Sequence, residues 1–469
     1  MKYLGKSIFF LFFTALILFI ETGCNRIFND WPDTIVLITI ETLRPDHLSC
    51  YDYVLNTSPN IDKFAKDGII YRNSFATASA TAPSIASILT SRYPSQHGVT
   101  EYFLTKLSDS ETTIAELLSK KDYTCAAFIG NPVITRERNL GQGFDIYNDE
   151  LPQFELNRHA PERIADPLTD AAIQWLQSTS GRRFLWLHYQ DPHGPYFPPK
   201  DWRKSFTPGD SGLEKLTLPL LKDNGGYGGI PDYQKLFDHR DVGYYLAMYD
   251  SEIKYMDNAI GHFLDFLKEK QLYRKSIIFL TADHGEAFGE NNYYFAHGHK
   301  STPDQTKVPL IVKLPDQRVK EKIVHKPVST LDIFSSILFI VEYELPENIE
   351  GVCLPEFIGY KKQKRILFSE TQFHYALISD DYYYTKDKPG FKKAFINPIS
   401  GGPIYPMDPL LYDIKEAGLV LNKEIKKVNG ILNEMDDALS AFYKACHTIS
   451  QGNIPEEKKR ILKSLGYLQ

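Results

Sequence analysis

Three short, mostly apolar runs constrain the fold of this 469-residue chain more than any other feature. They lie at residues 35–40, 184–189 and 276–281, and polar residues flank each of them. A strand that is apolar along its whole length is buried on both faces, which is typical of a parallel sheet covered by helices. The runs therefore predict three strands at the centre of a buried sheet.

Helical patterns lie between these predicted strands. The clearest spans about residues 250–270, where apolar side chains recur every three or four positions and form one face. Alternating strands and helices predict an α/β fold with a doubly wound, largely parallel sheet and helices on both faces. Ligands of such sheets bind beyond the carboxyl ends of the strands. Functional side chains are therefore expected directly after the three runs.

The N-terminus has the pattern of an export signal. Lys2 and Lys6 precede an apolar run at 8–20, which is too short to span a bilayer as a helix. Gly23 and Cys24 follow, and this segment resembles a bacterial lipoprotein processing site in which Cys24 becomes the lipidated first residue. An ordinary signal peptide and an uncleaved anchor are the alternatives. All three readings predict export to the bacterial cell envelope, on the periplasmic side or the outer surface.

The remaining chain divides by its composition pattern. A signal peptide at 1–23 and a linker at 24–32 precede a predicted catalytic domain at 33–345, and the shorter alternating stretches of 346–469 predict a C-terminal α+β subdomain. Glycine- and proline-rich residues 200–240 show little periodicity and predict a long irregular excursion, which is often functional.

Charge and cysteine content exclude several classes of protein. The net charge is −6, and lysine and arginine are scattered along the chain, which argues against nucleic acid as a partner. The five cysteines form no C-x-x-C pair, so neither a disulfide framework nor a thiolate zinc site is indicated.

Acidic clusters follow two of the predicted central strands. Glu41 comes directly after the first, and Asp283 and His284 follow the third. A mixed carboxylate and imidazole set suits zinc or manganese better than calcium. Each cluster taken singly could also be a set of turn residues.

Thr81 precedes a small-residue segment that predicts a helix with Pro83 in its first turn. Free N–H groups and the partial positive charge at a helix N-terminus favour an anion. A hydroxyl is a weak nucleophile at neutral pH, so Thr81 would need a metal or a base beside it.

The order of motifs resembles the sulfatase family of the alkaline phosphatase superfamily over nearly the whole chain. The matching segments are ITIETLRPDH at 38–47, TSPNIDKFA at 57–65, TAPSIASILTSRYPSQHG at 81–98, DPHGPYFPP at 191–199, TADHGE at 281–286, AHGH at 296–299, KVPLIV at 307–312 and LYDI at 411–414.

The resemblance implies a metal-dependent ester-cleaving site. Its metal ligands would be Glu41, Thr81, Asp283 and His284, with Thr81 as the nucleophile that takes the sulfuryl or phosphoryl group in line. It also implies substrate-binding or acid/base roles for two histidines, His193 and His297. Further candidates near these motifs are Arg44, His188, His299 and Lys300. A packed or solvated residue is the alternative for each histidine and lysine.

Two departures from the sulfatase pattern bear on the substrate. Sulfatases carry Cys or Ser in C/S-x-P-x-R, which becomes formylglycine; this chain has Thr81, which cannot be converted, and Ile85 in place of the arginine. The first acid is Glu41 where aspartate is usual. The resulting set resembles that of phosphoethanolamine and lipoteichoic-acid phosphoglycerol transferases.

The sequence therefore predicts a metal-dependent hydrolase of sulfuric or, more consistently with Thr81, phosphoric esters, working through a covalent threonine intermediate. The metal would be zinc or manganese, with calcium as a third candidate. Its substrate would be a sulfated or phosphorylated glycan or lipid, and a lipid on Cys24 would hold the chain at a membrane. The alternatives are a phosphoethanolamine- or phosphoglycerol-type transferase and a catalytically silent binder of anionic ligands.

Overall fold

A computed structural model describes residues 32–100, 105–210, 216–319, 321–355, 357, 365–391, 395–396, 401–415, 418–421 and scattered positions between 430 and 442. The predicted signal peptide at 1–23 and the lipidation site Cys24 lie outside the described residues, and so does most of the predicted linker. Among the described residues, no helix combines the length and apolar character needed to cross a membrane.

An eight-stranded mixed sheet forms the centre of the fold. Its strands are β1 (Thr34–Ile40), β2 (Ile69–Tyr71), β3 (Tyr123–Ile129), β4 (Ile146–Asn148), β5 (Arg182–Tyr189), β6 (Ile277–Ala282), β7 (Leu310–Lys313) and β8 (Lys322–Val324). Their order across the sheet is β8-β2-β7-β6-β1-β5-β3-β4. Strand β1 is central and pairs in parallel with β5 and β6, as the apolar runs predict.

The α-helices of the described residues are α1 (Pro59–Lys66), α2 (Thr81–Thr90), α3 (Pro94–His97), α4 (Ile114–Ser119), α5 (Ala165–Ser178), α6 (Val242–Glu269), α7 (Pro303–Thr306) and α8 (Asp332–Ile340). The apolar face of α6 packs against one face of the sheet, where Ile253 and Met256 join Ile38 and Leu187 in a single core. The helix predicted at 250–270 is therefore present and begins earlier, at Val242.

A separate antiparallel sheet lies in the C-terminal part of the chain. It consists of β9 (Leu367–Glu370), β10 (His374–Ile378), β11 (Tyr382–Asp387), β12 (Leu410–Lys415) and β13 (Gly418–Leu421). Shorter strands occur at Ser74–Phe75, Gln153–Phe154, Pro161–Glu162, Ala287–Phe288, Tyr294–Ala296, Lys307–Val308, Val328–Ser329, Phe395–Ile396 and Pro403–Ile404.

The α/β fold with helices around a largely parallel sheet is confirmed, with one strand running the other way. Strand β7 is antiparallel to both of its neighbours, β2 and β6. The domain boundary at 345 stays a prediction.

Strand register brings the predicted functional residues together. Ile40, at the end of β1, lies opposite Tyr189 of β5 and Ala282 of β6. The next residues continue the ladder, since the N–H of Glu41 donates to the carbonyl of Tyr189 and that of Asp283 to the carbonyl of Ile40. Glu41 and Asp283 therefore leave the same edge of the sheet side by side.

Candidate active site

Glu41 is the most connected carboxylate of the candidate site. Its side chain is fully buried, and Oε2 accepts hydrogen bonds from Nε2 of His188 at 2.9 Å and Nδ2 of Asn131 at 2.8 Å. Burial raises the pKa of Glu41, but the hydrogen bonds and charges of His188 and His284 outweigh burial and hold the pKa well below its ordinary value. Glu41 is therefore an ionised carboxylate.

Thr81 is the first residue of α2, one position further into the helix than the sequence predicts. All ten residues of α2 are buried, so the helix presents its N-terminus to the interior of the protein. The Thr81 hydroxyl donates to Oε1 of Glu41 at 2.5 Å and lies 3.3 Å from Nε2 of His284. A hydroxyl held between a carboxylate and an imidazole at a helix N-terminus has the surroundings of an activated nucleophile.

Asp283 and His284 follow β6 directly. Oδ1 of Asp283 accepts from the backbone N–H groups of Thr42 and His284, whereas its buried Oδ2 has no hydrogen-bond partner among the described residues. Nδ1 of His284 donates to the carbonyl of Gly285 at 2.8 Å. In the neutral ring this leaves the Nε2 lone pair facing Glu41 at 3.4 Å and Asp283 at 3.6 Å.

The electrostatics of this cluster favour an added positive charge. Burial lowers the pKa of His284, but Asp283 and Glu41 outweigh burial and raise it to about 9. Burial and the charge of Glu41 raise the pKa of Asp283 to about 7. The negative charges of Glu41 and Asp283 thus repel each other in a buried site. A proton on His284 or a cation would relieve this repulsion.

Two overlapping groups of side chains could hold a metal ion. The first is Glu41, His188 and Asp283, and the second is Glu41, His284 and His297; within each group the ligand atoms lie within 4.8 Å of one another. Carboxylate oxygens and imidazole nitrogens are ligands of transition ions. Oδ2 of Asp283, which has no hydrogen-bond partner among the described residues, lies 3.6 Å from Nε2 of His284. The residues therefore fit a divalent metal.

His193 and His297 border the cluster. The His297 ring centroid lies 4.5 Å from that of His284 and 5.3 Å from that of His193. Burial lowers the pKa of His193 to about 4 and that of His297 well below its ordinary value, so both imidazoles are neutral at pH 7. Two neutral imidazoles at the border of this cluster can accept a proton or bind an ester oxygen.

The remaining candidates divide between the cluster and its surroundings. His188 belongs to the cluster, because its Nε2 bonds Glu41 and its Nδ1 lies 2.8 Å from Oγ1 of Thr39. Arg44 instead bonds Asp46, Glu290 and the carbonyl of Glu286. His299 and Lys300 pack against two tyrosine rings, Tyr227 and Tyr293. Arg44, His299 and Lys300 thus lie outside both metal-ligand groups found among the described residues.

Three site residues were not predicted from the sequence. Asn131 bonds Glu41 from the loop that follows β3. Oε1 of Glu286 lies 3.1 Å from Nδ1 of His297, and its Oε2 accepts from the hydroxyl of Tyr196 at 2.9 Å. The strand-end rule could have found Asn131, because it stands two residues beyond a strand with a buried apolar pattern.

The irregular excursion at 200–240 reaches the site. Its Tyr233 ring stacks beside His193 with centroids 6.2 Å apart. Gly194, the next residue after His193, is so close to Gln234 of the excursion that a Cβ there would collide with the Gln234 side chain. The excursion therefore forms one wall beside His193.

Comparison with known proteins gives the family of this chain. A family model described as Sulfatase matches residues 33–343. Human iduronate 2-sulfatase is 26% identical over 342 residues, a match that covers 60% of this chain and 59% of the relative. An arylsulfatase of Clostridium perfringens is 22% identical over 429 residues, covering 77% of this chain and 87% of the relative.

Solved structures share the fold. Phosphonate monoester hydrolase of Agrobacterium radiobacter superposes with a TM-score of 0.67 at 18% identity, covering 88% of this chain and 96% of that structure. A structure in complex with its substrate D-glucosamine-2-N,6-O-disulfate superposes with a TM-score of 0.66 at 17% identity, covering 90% of this chain and 99% of that structure.

The match of the family model over residues 33–343, about two thirds of the sequence, shows that the chain belongs to the sulfatase family. The resemblance seen in the motifs is thereby confirmed. The role of Thr81 as nucleophile stays a prediction.

Proposed function

We propose that this chain is a metal-dependent hydrolase of the cell envelope that cleaves phosphoric esters through a covalent intermediate on Thr81. The observation that carries the proposal is the position of the Thr81 hydroxyl, 2.5 Å from Oε1 of Glu41 and 3.3 Å from Nε2 of His284. Zinc or manganese suits the carboxylate and imidazole donors best, and calcium is the third candidate.

The chain's own residues prepare Thr81 for attack. The N-terminus of α2 stabilises negative charge on the Thr81 oxygen, and Glu41 orients the hydroxyl through its hydrogen bond. His188 and Asn131 hold the other oxygen of Glu41, so that Oε1 stays directed at Thr81. A divalent ion bound to this cluster supplies Lewis-acid polarisation of the ester and lowers the pKa of the hydroxyl.

The proposed reaction has two balanced steps. Oγ1 of Thr81 attacks phosphorus, the bond from phosphorus to the leaving oxygen breaks, and the proton lost by Thr81 passes to the leaving oxygen. His193 and His297 are neutral at pH 7 and therefore in the correct state to accept that proton and pass it on. Water then attacks phosphorus, which releases phosphate or a phosphate monoester and regenerates the threonine hydroxyl.

The identity of the nucleophile favours phosphoric over sulfuric esters. Formylglycine hydrate expels sulfate through its second hydroxyl, and Thr81 has only one. A threonine ester must therefore be discharged by attack at phosphorus or sulfur, a route that suits phosphate. Members of the superfamily that resemble this chain are named for both phosphonate and sulfate ester substrates, so the fold is compatible with either.

A transferase is the second candidate function. Glu41, Thr81, Asp283 and His284 together resemble the site of phosphoethanolamine and phosphoglycerol transferases, in which an alcohol takes the place of water in the second step. An envelope glycan or lipid would be the substrate or acceptor, and a lipid on Cys24 would hold the site near a membrane. The replacement of the motif arginine by Ile85 favours a third candidate, a silent binder of anionic ligands.

Hydrolysis of matched aryl esters tests the proposal. The purified full chain is supplied with zinc, manganese or calcium and given an aryl phosphate, an aryl phosphodiester and an aryl sulfate, with Thr81→Ala as the control. Phosphoester turnover that the variant lacks would support the proposal. Sulfate turnover that depends on Thr81 would overturn the substrate preference. Retained turnover in Thr81→Ala would remove the proposed nucleophile.

A further inference from the structure

A cavity lies beside His193, which is one of its lining residues. It has a volume of about 240 Å³, and its polar lining includes His193, Glu155, Glu162, Asp191 and Glu252. These carboxylates come from separate elements of the fold: Glu162 from a short strand, Asp191 from the loop after β5, and Glu252 from α6. We call this cavity the acidic pocket.

Among the ion pairs of the described residues, arginine and lysine pair with only one of the four carboxyl groups of the acidic pocket. Arg158 is bound to Glu155 through two hydrogen bonds, of 2.5 and 2.7 Å, which neutralise that carboxylate. Glu162, Asp191 and Glu252 have no arginine or lysine partner among the ion pairs of the described residues. Three carboxyl groups thus share one pocket without a matching cation.

Two buried acceptor atoms in the acidic pocket have no donor. Asp191 is 5% exposed and Gln190 is 4% exposed, and both line the cavity. Among the described residues, neither Oδ2 of Asp191 nor Oε1 of Gln190 has a hydrogen-bond partner. Buried polar atoms almost always form hydrogen bonds, so these two acceptors indicate a ligand that carries N–H or O–H donors.

Burial, reinforced by repulsion between neighbouring carboxyl groups, raises the pKa values of these groups. Burial, followed by the charges of Asp191 and Glu155, raises the pKa of Glu162 to about 8. Burial likewise raises the pKa of Asp191 to about 6 and that of Glu252 well above its ordinary value. A cation in the pocket would favour the ionised forms of these carboxyl groups.

We infer that the acidic pocket binds an ammonium group carried by the ester substrate, so that the substrate is an aminoalkyl or amino-sugar ester. An ammonium offers three N–H donors and a positive charge, which match the unpartnered acceptors and the unpaired carboxylates. Phe154 also lines the pocket, and an aromatic ring beside carboxylates is typical of ammonium recognition. Phe197 lines it as well, with Arg203 over its ring at 3.5 Å from the centroid. His193 borders both sites, so one substrate can present its ester to Thr81 and its ammonium to the pocket.

This inference rests on the proposed function for the position of the ester, and it is tested by binding separately from turnover. The probes are p-nitrophenyl 2-aminoethyl phosphate and p-nitrophenyl 4-aminobutyl phosphate, each paired with an uncharged alkyl isostere, the propyl and pentyl diesters. The Thr81→Ala chain is titrated with each pair by calorimetry. At least one aminoalkyl ester should have an affinity about tenfold or more above that of its isostere, as expected for charge-assisted hydrogen bonds.

Two substitutions in the Thr81→Ala background locate the binding site. Asp191→Asn and Glu162→Gln should each lower the ratio of the affinity for the aminoalkyl ester to the affinity for its isostere toward one. Glu162 is less buried than Asp191, so Glu162→Gln is the alternative if Asp191→Asn folds poorly. The exposed Glu137→Gln is the matched control and should retain the preference. Three results would overturn the inference: equal affinity for the two members of each pair, undetectable binding of all four esters, or a preference for the aminoalkyl ester that persists in both variants.

Turnover by the unsubstituted chain separates this inference from the proposed function. In one outcome, the unsubstituted chain hydrolyses both members of each pair at equal rates while Thr81→Ala binds them with equal affinity. This result would support the proposed hydrolase and contradict the ammonium site. If Thr81→Ala binds an aminoalkyl ester more tightly than its isostere, but the unsubstituted chain hydrolyses none of the esters, the result would support the ammonium site and contradict the proposed hydrolase.

Discussion

Oε1 of Glu41 lies 2.5 Å from Oγ1 of Thr81, although 40 positions separate the two residues in the sequence. The contact exists because β1 ends at Ile40 and α2 begins at Thr81, and both termini meet at the same edge of the sheet. A carboxylate from a strand end and a hydroxyl from a helix N-terminus are thereby held together in a buried site. This pair is the basis of the proposed chemistry.

Asp283→Asn should weaken metal binding more than it weakens the fold. The substitution keeps the size of the side chain but removes the charge of a carboxylate whose Oδ2 has no partner among the described residues. We expect added manganese or zinc to raise the thermal midpoint of the unsubstituted chain and to raise that of Asp283→Asn much less. Differential scanning fluorimetry with and without metal measures this effect.

The exposed Asp201→Asn serves as the control for Asp283→Asn, because it removes the same charge from the surface. An equal metal-induced shift in the unsubstituted chain and in Asp283→Asn would show that Asp283 does not bind the metal.

His188→Ala should lower activity, because His188 holds Glu41 in place and belongs to one of the two possible metal-ligand groups. Nε2 of His188 bonds Glu41, and the ring is itself held by Oγ1 of Thr39, which accepts from Nε1 of Trp186. Losing this support should reduce metal affinity by about 10- to 100-fold. His188→Gln, whose amide can still donate to Glu41, should recover part of that affinity. Metal titration of His188→Ala and His188→Gln measures their metal affinities. Equal affinities in these two variants would argue that His188 does not position Glu41.

His97 should make the fold sensitive to acid. The N–H of Val99 donates to Nδ1 of His97, and Nε2 contacts the hydroxyl of Ser87, an arrangement that suits the neutral ring. Burial lowers the pKa of His97 to about 3, below the ordinary value of 6.5. The unfolded chain therefore binds the proton first as pH falls, so this contribution to stability is complete above pH 6.5 and declines toward pH 3.

Urea unfolding at pH 6.5 and pH 4.5 tests this expectation. Between these values the unfolding free energy of the unsubstituted chain should fall by about 2 to 3 kcal/mol more than that of His97→Gln, at about 1.4 kcal/mol per pH unit. His262→Gln, which replaces an exposed histidine, is the matched control. Parallel curves for the unsubstituted chain and His97→Gln would contradict the buried neutral state.

The sequence predicts the centre of this fold well, because strands buried on both faces leave an unambiguous apolar signature. Glu41 and Asp283 could be placed together because each directly follows such a strand. The antiparallel direction of β7 could not be predicted, since a buried strand has the same pattern in either direction.

Asn131 and Glu286 were not predicted for two different reasons. Asn131 follows β3, whose short alanine-containing run gives a weaker strand signal than the three central runs. Glu286 contacts His297 and Tyr196 only because the loop after β6 folds back toward the loop after β5. Contacts between two loops leave no periodic pattern in the sequence, so pattern analysis does not detect them.

The most direct test of the central claim is to trap the covalent intermediate. The metal-loaded chain is mixed with an aryl phosphate, quenched in acid within the first turnover and digested, and the peptide containing Thr81 is examined by mass spectrometry. The account predicts a phosphoryl group on Thr81, formed together with a burst of aryl alcohol and absent from Thr81→Ala. Steady turnover with no burst, an unmodified Thr81 and full activity in Thr81→Ala would contradict it.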